Sequence, residues 1–193
     1  MMQHARSLHG FSLIELMMAI VIFAFLVLLA APMYTEYIGN ANIRNAGEVV
    51  LNGVRLAQAE AIKANVSPPT PPAIGAAFVL DPATGWTVYL PDPNDGSDKV
   101  FKTYSFANEG ASKATITTNL GGPTTIATVT FDGLGRVLAT NGDGTAELTQ
   151  IDITNSNIPT PRPLRVVINS IAGSSGIKLC DPALASTDPA GCP

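Results

Sequence analysis

Residues Phe11 to Met33 form one continuous apolar stretch whose only polar members are the acid Glu15 and the hydroxyl Ser12. Those twenty-three residues, at about 1.5 Å each, make roughly 35 Å of helix, enough to cross the hydrocarbon core of a bilayer. Ahead of the stretch lies a short polar segment, MMQHARSLHG, with Arg6 between His4 and His9. Basic residues before a span hold that end in the cytoplasm, so the rest of the chain is expected in the periplasm. An ordinary secretory signal is cut behind its apolar region, after small residues. Here Ala30-Ala31 is followed directly by Pro32, which makes a poor site. Cleavage between Gly10 and Phe11 instead would leave the whole apolar segment on the mature protein, as a membrane anchor first and an interaction surface later.

Glu15 is the residue that such a segment has to justify. An acid inside an apolar span costs about 2.5–3.5 kcal/mol on insertion scales, and intramembrane acids are functional by default. Cleavage at Gly10 creates an α-amino group on Phe11, one helical turn before Glu15. That amine, or its equivalent in a neighbouring subunit, is a natural partner for the carboxylate in a low-dielectric bundle. The bland alternative is an acid that merely reaches out to the headgroups.

Only 13% of the 193 residues are charged, and the net charge of −4 argues against a generally basic, nucleic-acid-coating protein. The two cysteines, Cys180 and Cys192, sit close together near the C-terminus. A disulfide there would close a small loop and contribute roughly 2–3 kcal/mol, in an oxidising compartment such as the periplasm. Two free thiols are the alternative. A zinc site needs more ligands than this tail holds, since both histidines lie in the leader.

Beyond Pro32 the residues Tyr34, Ile38, Ala41, Val49, Val54, Ala57 and Ala61 recur at roughly helical spacing, with Glu36, Asn40, Arg44, Glu48, Arg55, Gln58 and Lys63 as a solvated face. Pro32 removes a backbone donor and is expected to kink or loosen the helix. Gly39, Gly47 and Gly53 weaken it by about 1 kcal/mol each relative to alanine, so the segment needs packing to stay helical. Ser67-Pro68-Pro69-Thr70-Pro71-Pro72 ends it. From Ala76 onward the pattern turns to short strands: Ala77–Asp81, Trp86–Leu90, Val100–Phe106, Ala114–Asn119, Ile126–Phe131, Arg136–Ala139, Glu147–Thr154 and Leu164–Ile171. The expected architecture is α+β: a long N-terminal helix packed on an antiparallel β-sheet head. The chain thus divides into a leader (1–10), a membrane-spanning and assembly half of the helix (11–33), an amphipathic half (34–66) and a β-rich head (67–193).

Gly10-Phe11-Ser12-Leu13-Ile14-Glu15-Leu16-Met17 resembles the class III leader junction of the type IV pilin superfamily, which includes major and minor pilins and the pseudopilins of type II secretion. The resemblance implies cleavage after Gly10 by a prepilin peptidase, N-methylation of Phe11, and a role for Glu15 in subunit registration. It also implies that Pro32 loosens the helix in assembled filaments, and that the partners are other pilins or pseudopilins and an inner-membrane assembly platform. A second segment, Phe131-Asp132-Gly133-Leu134-Gly135-Arg136, is similar to the F-x-x-x-G-R segment of GspH/FimT-type pseudopilins. Arg165-Val166-Val167-Ile168, followed by a turn and Cys180, is similar to the end of the same family. The function implied is a minor pilin or pseudopilin that initiates or caps a filament, in a type IV pilus or a type II secretion system.

With both histidines in the leader, Ser/His/Asp and Cys/His schemes have no base in the mature chain, and an enzyme is not expected. No cofactor is expected either. Asp92-Pro93-Asn94-Asp95-Gly96-Ser97-Asp98 and Asn141-Gly142-Asp143-Gly144 offer oxygen ligands, but neither matches an EF-hand, and these are the ordinary residues of tight turns. No metal site is expected. Some GspH/FimT-like minor pilins are linked to DNA uptake, and Arg162, Arg165 and Lys178 are the cations available here for phosphate. A single lysine in Gly176-Ile177-Lys178-Leu179-Cys180, with Asp181 and Asp188 nearby, disfavours that alternative.

Overall fold

The computed structural model describes residues 11–64, 74–91, 98–107, 111, 113–142, 144–169 and 176–193. The leader with Gly10, the proline run 67–72, the acidic segment 92–97 and Asp143 lie outside the described residues. One helix, α1 (Leu13–Ala64), precedes eight strands: β1 (Ile74–Asp81), β2 (Gly85–Pro91), β3 (Asp98–Ser105), β4 (Thr115–Thr118), β5 (Ala127–Asp132), β6 (Gln150–Thr154), β7 (Leu164–Asn169) and β8 (Gly176–Cys180). The expected α+β architecture is what the chain adopts.

α1 is 52 residues long, about 78 Å, and runs through Pro32 without interruption. The Thr35 hydroxyl donates to the Pro32 carbonyl at 2.8 Å, one turn beyond the Leu28 carbonyl that the ring leaves without its ladder donor. From Leu13 to Met33 every side chain is exposed, and this part is long and apolar enough to cross a membrane. From Gly39 onward one face is buried: Gly39, Ile43, Ala46, Gly47, Val50, Leu51, Gly53, Val54, Ala57 and Ala61.

That stripe differs from the one expected. Tyr34 and Ala41 are exposed, and the three glycines stand in the contact. Their small size is the reason. A Cβ at Gly53 would lie 2.7 Å from Phe78 Cε2 and 2.8 Å from Trp86 Cε2, so only glycine lets these two rings rest on the helix backbone. The cost in helix propensity is offset by closer packing.

The strands form two antiparallel sheets, ordered β3-β2-β1-β5 and β4-β6-β7-β8, where one sheet was expected. The chain crosses from the first sheet to the second for β4, returns for β5, and crosses again for β6. Inner faces alternate as the pleat requires: Ala76, Phe78 and Leu80 on β1, Val129 and Phe131 on β5, Ile151 and Ile153 on β6, Val166 and Ile168 on β7. Both inner faces close on the same side of α1. Phe78, Trp86, Tyr104 and Phe106 continue the core as a chain of ring contacts, with Trp86 and Tyr104 stacked at 5.5 Å.

β8 was not among the expected strands, because Gly176-Ile177-Lys178-Leu179-Cys180 is short and opens on a glycine. It pairs with β7, Val167 opposite Lys178. Conversely, Arg136–Ala139 is not a strand. Val137 makes a single bridge to Phe131, because the chain there is folding back on β5 in a tight turn. The edge strand β3 is exposed along most of its length, but Lys99, Lys102 and a bulge between Val100 and Lys102 guard it against further pairing.

Candidate functional site

Phe11 and Ser12 lead into the first turn of α1. The Ser12 carbonyl accepts from the amides of Glu15 and Leu16, which makes Ser12 the residue that opens the helix. Glu15 then falls three positions on, the Ser-x-x-Glu spacing of a capping box and the positive end of the helix dipole. Phe11, just outside the helix, is 84% exposed. Around and beyond Glu15 lie Leu13, Ile14, Leu16, Met17, Met18 and further apolar side chains, about half or more of each open. An acid is therefore fixed at a defined height on a helix end whose apolar surface nothing among the described residues of the head covers.

The order of helix contacts sets the axis of the molecule. Gly39 packs on Ile158, Gly47 on Leu179 and Leu164, Gly53 on Phe78 and Trp86, and Gly135 on Ile62. The loop 155–163 and the second sheet are thus nearest the apolar half, the first sheet comes next, and the Phe131–Arg136 segment sits at the far end. Two residues expected on the solvated face are polar anchors instead. Asn40 accepts from the Arg162 amide at 2.8 Å and donates to the Thr160 carbonyl at 3.4 Å. Gln58 donates to the Gly135 carbonyl at 2.9 Å.

Phe131-Asp132-Gly133-Leu134-Gly135-Arg136 forms a turn organised by one carboxylate. Asp132 Oδ1 accepts from the amides of Leu134 (2.9 Å) and Arg136 (2.8 Å), and Oδ2 meets Arg136 Nε and Nη2, both at 2.7 Å. Burial alone would raise the Asp132 pKa, but the Arg136 amide and guanidinium and the Leu134 amide outweigh it and hold the carboxyl below its ordinary value. Gly135 has φ +75°, a conformation that suits glycine. A Cβ there would also stand 2.7 Å from Ile62 Cδ1. Phe131 is fully buried, while Leu134 at the tip is 69% exposed. The F-x-x-x-G-R spacing therefore reads as an anchor, a left-handed glycine that allows approach to α1, and an arginine that closes the loop. Asp132 was not singled out from sequence. The Asp-Gly-x-Gly string was the signal available for it.

Asn141 is buried and fully engaged. Its amide nitrogen donates to the carbonyls of Thr128 and Ala146 and to Thr145 Oγ1, and its Oδ1 accepts from Thr130 Oγ1, all within 2.9–3.0 Å. Its side chain is turn and core chemistry, pinning the 140s segment to β5. Among the described residues no group of three or more His, Cys, Asp or Glu is placed to hold a metal.

Cys180 and Cys192 are joined in a disulfide, which ties the C-terminus back to β8. The Lys178 ammonium donates to the Gly191 carbonyl of that loop at 2.8 Å. Arg165 pairs with Asp152 across β7 and β6 at 2.6 Å. Two of the three cations considered for phosphate contact are therefore committed to internal partners. Arg162 lies in the loop before β7, exposed, with no ion pair among the described residues.

Two family models match the chain. The prokaryotic N-terminal methylation motif covers residues 6–31, and the type II transport protein GspH covers residues 46–173. No curated protein and no solved structure matches it.

Proposed function

The chain belongs to the family of the type II transport protein GspH and carries a prepilin-type methylation motif, which makes it a minor pilin or pseudopilin, and we propose that it initiates or caps a filament of such subunits. The observation that carries the reading is the contrast along one helix. From Gly39 to Ala61 α1 is packed into the head, whereas from Leu13 to Met33 its apolar side chains have no cover among the described residues. A surface of that size and polarity calls for lipid before assembly and for neighbouring helices afterwards.

On this reading the precursor is anchored in the inner membrane with its head in the periplasm, where the Cys180–Cys192 bond persists. A prepilin peptidase cuts between Gly10 and Phe11, Phe11 is N-methylated, and the assembly platform draws the helix out of the bilayer. Glu15 pairs with an N-terminal amine and sets the axial stagger. Pro32, which leaves one ladder carbonyl without its donor, is where α1 most readily unwinds as it enters the bundle. The family is structural, and nothing in this mechanism requires catalysis by the chain itself.

The test is the amount of filament in the sheared surface fraction of a strain lacking the gene. Loss of filaments, restored by the intact gene, is the expected outcome. Unchanged filaments together with lost protein export would assign the chain to a secretion pseudopilus and overturn the pilus-initiation reading.

A further inference from the structure

We propose that the proline-framed turn carrying Arg162 binds phospholipid headgroups, seating the base of the head on the anionic surface of the leaflet from which α1 emerges. This rests on the membrane-anchor reading of the apolar half of the helix.

Height places the turn at the membrane surface. The apolar run ends at Met33, and Tyr34 and Tyr37, 67% and 71% exposed, follow at once, as amphipathic rings do at a membrane interface. Asn40 is seven residues beyond Met33, about 10 Å along the axis. The headgroup zone occupies about 5–7 Å on each side of the hydrocarbon. The two hydrogen bonds from Asn40, to the Arg162 amide and the Thr160 carbonyl, hold the turn at that level of the helix. Arg162 therefore starts a few ångströms above the phosphates, within the span of an extended arginine side chain.

Rigidity is the second element. Pro159, Pro161 and Pro163 alternate with Thr160 and Arg162, so φ is fixed at every other residue and little conformational freedom is left to lose on binding. Ile158 fastens the other end of the turn: a Cβ at Gly39 would stand 2.5 Å from its Cγ2. Charge is the third. Arg165 and Lys178 are held by Asp152 and the Gly191 carbonyl, and Arg44 by Glu48 at 3.0 Å. Arg162 is exposed and has no such partner among the described residues. The acid on α1 at this level is Glu36, half-buried one turn below Asn40.

The experiment uses the full chain reconstituted in vesicles of phosphatidylcholine, with or without phosphatidylglycerol. A fluorescent label is attached through Thr160→Cys, or through Val21→Cys as a control, and its accessibility to acrylamide is measured. The expected result is a Thr160 label shielded in the anionic vesicles and open in the neutral ones. Shielding should weaken with salt, survive Arg162→Lys and be lost in Arg162→Glu, where the ratio of seated to lifted heads falls at least about fivefold. Equal accessibility in both vesicle types, or an Arg162→Glu variant that behaves as the parent, overturns the proposal. A Val21 label open to acrylamide overturns the membrane-anchor reading and this proposal with it. Shielding produced by added duplex DNA and not by phosphatidylglycerol would assign Arg162 to nucleic acid and also overturn it.

Discussion

Replacing Asp132 by alanine removes the acceptor around which the Phe131–Arg136 turn is built. Two backbone amides, those of Leu134 and Arg136, lose charge-assisted bonds of 2.9 and 2.8 Å. Hydrogen bonds to an ionised group are worth about 1.5–3 kcal/mol each when buried, and less where water can replace them at an open turn tip. The ion pair adds little, because the Arg136 side chain is 57% exposed although that of Asp132 is only 11% exposed. The expected destabilisation of the head is therefore about 2–4 kcal/mol, and the Gln58–Gly135 tie to α1 should loosen with it. Asp132→Asn keeps an acceptor for the two amides and should cost about half as much.

The assay is urea unfolding in detergent followed by the fluorescence of Trp86, the single tryptophan, which is buried in the first sheet. pH supplies an independent arm. The Asp132 carboxyl is held below its ordinary value, so the folded head binds its proton less readily than the unfolded chain does. Its contribution is fully present above the unfolded value of about 3.9 and fades as pH falls through the lower, folded value. The stability gap between parent and Asp132→Ala should thus be constant near neutrality and shrink below about pH 4. A gap under about 0.5 kcal/mol at pH 7, or one that stays constant into acid, would refute the reasoning.

Gly53→Ala adds a methyl against Phe78 and Trp86 at under 3 Å, and overpacking of about 1–3 kcal/mol should outweigh the gain of about 1 kcal/mol in helix propensity. A lower urea midpoint with an altered Trp86 spectrum is expected, and a raised midpoint would contradict the close contact. Asn141→Ala leaves the Thr128 and Ala146 carbonyls and the Thr130 hydroxyl without this partner, a loss of about 2–4 kcal/mol by the same assay. Added calcium should not shift the unfolding midpoint of the parent; a shift would show one of the two oxygen-rich segments, 92–98 or 141–144, to be a cation site.

The membrane half of the helix was legible because hydrophobicity, length and a single acid are properties of the residues themselves. The disulfide was legible for a similar reason, two cysteines close enough in sequence to close a small loop. Most strands were legible from alternation and turn residues, while β8 was not, since its place is fixed by pairing with β7. The buried stripe of α1 was misread because glycine carries no apolar signal, and its value at positions 39, 47 and 53 depends on a ring or branched side chain arriving from elsewhere. Asn40 and Gln58 failed in the same way: their polarity placed them in solvent, and their partners lie 120 and 77 residues away. Arg165 and Lys178 looked available until β6 and the C-terminal loop supplied Asp152 and the Gly191 carbonyl. Long-range contacts of this kind leave no trace in local spacing.

On the proposed function, an acid at a fixed height on an otherwise apolar helix sets assembly. The decisive comparison is of Glu15→Gln and Glu15→Ala with the parent, for cleavage of the leader and for recovery in the sheared filament fraction. Glutamine keeps the Ser-x-x-Glu/Gln capping geometry and removes only the charge. Normal cleavage of both variants and poor incorporation of both, glutamine included, are expected. Parental recovery of Glu15→Gln in filaments would contradict that role, leaving Glu15 as a helix cap and nothing more.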